Sequence, residues 1–213
     1  MIQYLVFQAA NLKKAFGRNI LFSDINFTLC ENHSLAVTGR NGSGKTTLLK
    51  ILAGLLSPTG GRVQCSLEGT QIDPANLYRH LGFVSPYLQL YDEFTAWENL
   101  DLFRRIRGIG TADTMLQELL ERVNLGRKRN EMVRTFSSGM KQRLKYACAL
   151  LHEPPILLLD EPTANLDAEG KSTVQSFVKE QHRRGILVMA TNEPEELKWA
   201  ESVLTLDIIS DRD

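Results

Sequence analysis

Three cysteines among 213 residues, Cys30, Cys65 and Cys148, are too few and too scattered for a disulfide scaffold. None stands in the C-x-x-C spacing that would hold zinc. They read as free thiols in a reducing compartment, each a small buried hydrophobe. Long apolar runs are missing too: nothing approaches the roughly 18 to 20 residues that a membrane helix needs. The start MIQYLVFQAANLKK has no basic segment followed by a long apolar one, so a chain neither exported nor embedded is expected. Charge of one sign is also lacking, with Lys+Arg and Asp+Glu at 25 each. No overall field draws nucleic acid, and the basic KQRLK (Lys141–Lys145) and GRKRN (Gly126–Asn130) read as solvated faces. Repeats, low-complexity tracts and long linkers do not occur either.

What is there is an ordinary globular composition, 43% hydrophobic. The first 70 residues are rich in strand signals: YLVFQA, NIL, DINFTL, SLAVT and RVQCSL, broken by Gly17, Asn32 and the SPTGG of Ser57–Gly61. TLLKILAGLL, residues 47–56, has helical apolar spacing. From about Pro86 to Cys148 the period changes, and AWENLDLFRRIR and ADTMLQELLERVNL place apolar residues at i, i+3, i+4 and i+7. Thr111 or Asp113 is the expected N-cap of the second helix. ILLLD (Ile156–Asp160) and GILVMAT (Gly185–Thr191) are continuous apolar runs, as in parallel strands buried on both faces. A helix at about Ala168–Arg183 between them makes a βαβ unit. VLTLD (Val203–Asp207) is a last strand, and SDRD is expected to fray.

The chemistry begins at GRNGSGKTT, which fits G-x-x-x-x-G-K-[ST] at every fixed position and has a strand before it and a helix after it. Its residues are Gly39, Arg40, Asn41, Gly42, Ser43, Gly44, Lys45, Thr46 and Thr47. Glycines let successive backbone N–H groups aim at phosphate oxygens, Lys45 adds a point charge, and Thr46 offers a hydroxyl to Mg²⁺. ILLLDEP ends a hydrophobic strand in two carboxylates at the sheet edge where ligands collect. Asp160 is expected to hold Mg²⁺, directly or through water, and Glu161 to orient or deprotonate the water that attacks a γ-phosphate.

TFSSGMKQRLKYACALL, just upstream of ILLLDEP, resembles the signature motif of ABC ATPases. The motif LSGGQ is written here as Phe136, Ser137, Ser138, Gly139 and Met140. ANLD, Ala164–Asp167, matches the family's D-loop. The resemblance covers essentially the whole chain and implies an α/β P-loop NTPase with a mainly parallel core sheet, an antiparallel β-subdomain and an inserted α-helical subdomain. The single domain 1–213 would divide into core plus β-subdomain at 1–85 and 149–213, with the helical part at about 86–148. ATP and Mg²⁺ are the implied cofactors. Phe16, an aromatic before a glycine, would stack on adenine, and Ser137, Ser138, Gly139 and Met140 would reach the γ-phosphate on an opposite subunit. Asp167 would lie at that interface. Lys45, Glu161 and Asn192 would form the catalytic set.

Two positions depart from the family's pattern. Pro86 stands where a Q-loop glutamine normally sits, and proline has no side-chain acceptor. Gln89, three residues on, either reaches the metal by another path or is a surface residue. Asn192 replaces the H-switch histidine; it exchanges hydrogen bonds but cannot become a cation near neutral pH. Slower or differently regulated turnover is expected.

The resemblance implies an ATP-hydrolysing transporter subunit, peripheral on the cytoplasmic face of the membrane. It would form a homodimer or heterodimer and dock on a separate membrane-spanning subunit. The aromatic Tyr87–Tyr91 segment either forms part of that contact or packs its own rings. The compact length is similar to ABC-2-type exporter or haem-exporter ATPases. A soluble ABC ATPase unconnected with transport, or a weakly hydrolysing heterodimer partner, is the alternative.

Overall fold

The computed structural model describes residues 5–110 and 113–207. Thr111 and the SDRD end lie outside those residues. Asp113 is the first residue of its helix rather than the cap before it.

The chain opens with two long antiparallel strands, β1 (Leu5–Phe16) and β2 (Asn19–Cys30). NIL and DINFTL are thus one strand, which passes through Asp24 at φ 57° and slips register there instead of breaking. β3 (Ser34–Thr38) leads into α1 (Lys45–Leu52). That helix stops four residues earlier than the apolar spacing predicts, because Gly54 turns left-handed at φ 73°. β4 (Gly60–Leu67) and β5 (Thr70–Gln71) complete an antiparallel sheet of order β2-β1-β4-β5.

A 3-10 turn at Pro74–His80 then gives way to β6 (Leu81–Val84), a strand the sequence reading left unassigned. The helices α2 (Ala96–Ile106), α3 (Asp113–Arg122) and α4 (Ser138–Leu150) follow. β7 (Ile156–Asp160), α5 (Ala168–Gln181), β8 (Ile186–Ala190), the short α6 (Pro194–Leu197) and β9 (Ser202–Thr205) close the described chain. The second sheet is parallel, in the order β6-β7-β8-β3-β9.

Every residue of β7 and β8 is buried, as expected for strands covered on both faces. Alternate side chains serve two cores. Leu157, Leu159, Leu187 and Met189 pack with the α2–α5 side, while Ile156, Leu158, Ile186 and Val188 pack with α1 and the antiparallel sheet. Each such aliphatic side chain contributes about 1.5–3 kcal/mol when fully buried.

α2 starts on a capping box: Thr95 Oγ1 accepts from the Glu98 N–H at 3.1 Å, and Glu98 Oε2 accepts from the Thr95 N–H at 2.8 Å. At its other end Arg107 donates to the Tyr78 carbonyl at 2.8 Å and lies 3.1 Å from His152 Nε2. A guanidinium can only donate, so that ring nitrogen accepts and the imidazole is neutral.

Burial, then the nearby Arg107 charge, pushes the His152 pKa down from 6.5 to about 4. Between those values the unfolded ring binds a proton that the folded ring refuses. The native state is therefore spared this penalty above about pH 6.5 and loses stability as pH falls towards 4. Thermal melts from pH 7 down to pH about 4.5 should show a shallower decline for His152→Gln than for the parent. Parallel curves would contradict this.

Candidate nucleotide site

The C-terminal ends of β3, β6, β7 and β8 meet at one edge of the parallel sheet, and each delivers a polar residue there. Pairing sets Val84 beside Leu159 and Asp160 beside Ala190. The residues just past those pairs are Ser85, Glu161 and Thr191.

Past Thr38 the chain forms the glycine loop. Gly39 (φ 143°), Gly42 (φ 87°) and Gly44 (φ 102°) all take conformations that side chains disfavour. At Gly39 a Cβ would stand 2.4 Å from the Leu206 carbonyl oxygen, and at Gly44 one would stand 2.7 Å from Leu21 Cγ. Gly44 precedes α1 with no side-chain cap, and no acidic residue occupies the first turn. The helix therefore presents N–H groups and a positive dipole end suited to an anion. Lys45 Nζ folds back over the loop, donating to the Gly39 carbonyl at 2.6 Å and the Arg40 carbonyl at 3.4 Å.

Thr46 Oγ1 donates to Asp160 Oδ1 at 3.1 Å, and Ser85 Oγ donates to Asp160 Oδ2 at 3.3 Å. Asp160 is only 2% exposed. Burial raises its pKa, against the lowering effect of the two hydroxyls. Glu161 follows at φ 51°, in a left-handed conformation that costs a non-glycine residue on the order of 1–3 kcal/mol. Its N–H bond to the Ala190 carbonyl, 2.9 Å, helps to hold it there. The Glu161 side chain is exposed and lines a cleft of about 500 Å³ with Asn41, Asn165, Lys171 and Asn192.

Asn192 spans from β8 to the loop. Its Oδ1 is 3.4 Å from both Thr38 Oγ1 and the Gly39 N–H, and its Nδ2 donates to Asn41 Oδ1 at 3.3 Å. Phe16 ends β1 at 56% exposure, with Lys14 Nζ 4.8 Å from the ring centre.

Ser137 caps α4, its Oγ accepting from the Met140 N–H at 3.2 Å. Ser138 is exposed in the first turn, and Gly139 lies so close to the Asn165 carbonyl that a Cβ would stand 3.0 Å from it. Asp167 caps α5, accepting from the Gly170 N–H at 2.8 Å. Its carboxylate thus has a task inside its own chain.

Gln89 is exposed on the loop between β6 and α2. It lines a cleft of about 540 Å³ with Pro86, Lys141 and Lys145. Among the described residues its side chain makes no hydrogen bond to Thr46 or Asp160. A turn closed by the Leu88 N–H on the Ser85 carbonyl, 3.1 Å, carries the segment away. Ser85, not Gln89, meets Asp160 from this side. Lys145, the end of the KQRLK run expected to be a solvated face, is instead partly buried and donates to the Pro86 carbonyl at 2.8 Å. The signal for Ser85 was its place directly after LGFV, a short apolar run like ILLLD.

The donor set of Thr46, Asp160 and Ser85 consists of hard oxygens, which suit Mg²⁺. Among the described residues no group of three or more His, Cys, Asp or Glu could cage a metal alone. A cation sharing its shell with phosphate oxygens fits that arrangement.

Comparison with known proteins agrees with this geometry. A family model described as ABC transporter matches residues 22–164. The bacitracin transport ATP-binding protein BcrA of Enterococcus faecalis is 33% identical over 193 residues, covering 90% of this chain and 62% of that protein. The linearmycin resistance ATP-binding protein LnrL of Bacillus subtilis (strain 168) is 32% identical over 187 residues, covering 87% of this chain and 60% of that protein. The chain thus spans 60–62% of the length of these two relatives. A dimeric solved structure, that of the bacterial ABC transporter cassette MJ0796, is similar with a TM-score of 0.83 at 25% identity, covering 94% of each chain. The family match takes in the glycine loop, the Ser137–Met140 turn and the Asp160–Glu161 pair together, and the chain belongs to the ABC transporter family.

Proposed function

We propose that this chain binds ATP with Mg²⁺ and hydrolyses it, driving a separate membrane-spanning transporter subunit. The observation that carries this reading is the 3.1 Å bond from Thr46 Oγ1 to Asp160 Oδ1, which joins the phosphate loop to the acidic strand end with Glu161 next in sequence. Backbone N–H groups of Gly39–Thr47 donate to phosphate oxygens, and Lys45 exchanges its carbonyl partners for them. Phe16 stacks under the adenine. Thr46 and Asp160 would hold Mg²⁺, which would supply charge neutralisation for the triphosphate. Glu161 aligns a water and takes its proton as the new O–P bond forms. The bond from the γ-phosphorus to the bridging oxygen breaks, and its electron pair leaves with ADP. Asn192 steadies the loop's outer flank through Asn41.

Two chains, identical or closely related, complete each site head to tail. Ser137, Ser138, Gly139 and Met140 of one copy face the triphosphate held by the other, and the Ala164–Asp167 loop lies at the contact. The dimeric arrangement of the MJ0796 cassette supports this reading. The membrane subunit docks on the face bearing Tyr87 and Tyr91, which are 69% and 51% exposed. No described helix is long and apolar enough to cross a membrane. The chain then works peripherally, on the cytoplasmic side.

Gly139→Asp tests the shared site. An acidic side chain at the tip of α4 repels the triphosphate across the interface, while the glycine loop of the same chain is untouched. With hydrolysis blocked, ATP should dimerise the parent and leave the variant monomeric by light scattering, with monomer affinity for ATP unchanged within about threefold. ATP-driven dimers of the variant at parental affinity would overturn the head-to-tail arrangement.

A further inference from the structure

We propose that Ser85 Oγ is a further ligand of the Mg²⁺ that accompanies ATP, beside Thr46 and Asp160. This rests on the nucleotide reading above and adds a residue to it. One buried carboxylate is flanked by two hydroxyls from different strand ends: Thr46 on Oδ1 at 3.1 Å and Ser85 on Oδ2 at 3.3 Å. A hydroxyl donating to a carboxylate normally closes to about 2.5–2.7 Å. Both separations are longer, and both approach the roughly 3 Å between adjacent oxygens around an ion bound at 2.0–2.1 Å. Both hydroxyls thus stand on the one buried carboxylate that would share the ion with them.

Ser85 is also held in place. Its side chain is 2% exposed, and its Oγ accepts from the Tyr87 N–H at 3.3 Å. Lys145 Nζ donates to the Ser85 carbonyl at 3.3 Å and to the Pro86 carbonyl at 2.8 Å. On the far side, Lys50 Nζ stands 4.6 Å from the centre of the Tyr87 ring. These contacts fix the turn before any ligand arrives, as a metal ligand requires. Pro86 offers no side-chain oxygen, and Gln89 faces the other cleft, so this flank of Asp160 depends on the serine.

The test measures binding of AMP-PNP, which is not turned over, in EDTA, in Mg²⁺ and in Cd²⁺. The parent, Ser85→Ala and Ser85→Cys are compared. In EDTA all three should bind alike. Mg²⁺ should tighten binding by the parent, and that gain should shrink about tenfold or more in both variants. Cd²⁺ should restore the gain in Ser85→Cys alone, since a thiolate prefers a soft cation. Cys30, Cys65 and Cys148 are common to all three proteins, so the difference isolates position 85. Should Ser85→Ala fail to fold, the near-isosteric cysteine variant decides alone through its Mg²⁺-to-Cd²⁺ switch. An undiminished Mg²⁺ gain in the variants, or no recovery with Cd²⁺, overturns the assignment of Ser85. A parent that binds no AMP-PNP overturns the nucleotide reading instead.

Discussion

Glu161→Gln should lower ATP turnover by at least about 100-fold, the lower end of what a positioned general base contributes, while ATP affinity stays within a few-fold. Glutamine keeps the size of the side chain and the backbone cost of φ 51° already borne by the glutamate, so the loop has no new reason to rearrange. What it loses is the ability to accept a proton from the attacking water. Of the other carboxylates lining the cleft, Glu196 is buried and accepts from the Thr163 N–H, and Glu193 is exposed just before α6. Asp160 is buried against Thr46 and Ser85, and Asn192 is an amide already engaged with Asn41. Phosphate release over time, paired with a nucleotide titration, reads the two effects separately. Parental turnover in the variant would remove Glu161 from the chemistry and leave Glu193 and Glu196, which line the same cleft, as the remaining carboxylates there.

The same variant bears on the departures at Pro86 and Asn192. If those residues had already silenced the site, parent and variant would share one negligible rate. A clear drop on substitution means that Asn192 tolerates hydrolysis without the cationic form of a histidine.

How much of this was legible in the sequence follows from how local each feature is. The glycine loop needs only consecutive residues, and Gly39, Gly44, Lys45 and Thr46 announce themselves by type and spacing. β7 and β8 were legible because uninterrupted apolar runs have few other uses. Ser85 was not, because its importance comes from the pairing of β6 with β7 across more than seventy residues of chain. A four-residue strand carries too little periodicity to reveal that pairing. Gln89 attracted attention as the nearest amide to a missing one, yet a single turn after Ser85 was enough to direct it elsewhere. Asp167 shows another limit: a motif match names a position, while the cap it makes on Gly170 appears only with the helix in place.

Lys45→Ala should weaken ATP binding by about 10- to 150-fold, the equivalent of the 1.5–3 kcal/mol typical of a hydrogen bond to a charged group. The fold should survive. Among the described residues Lys45 Nζ bonds only to the Gly39 and Arg40 carbonyls, at a partly exposed edge, and neither core cluster includes its side chain. Those carbonyls raise a second explanation for weak binding, namely that the loop itself loosens once its internal tether is gone. Lys45→Arg separates the two. It keeps a cation and donors for the carbonyls, but its planar guanidinium is wider than an ammonium and cannot act as a compact point charge within the ring of backbone N–H groups. If charge placement governs affinity, arginine should recover little of the loss. If the tether governs it, arginine should recover most. Unimpaired ATP binding by Lys45→Ala would mean that the glycine loop does not cradle the triphosphate, and the roles given to Thr46, Asp160 and Ser85 would fall with it.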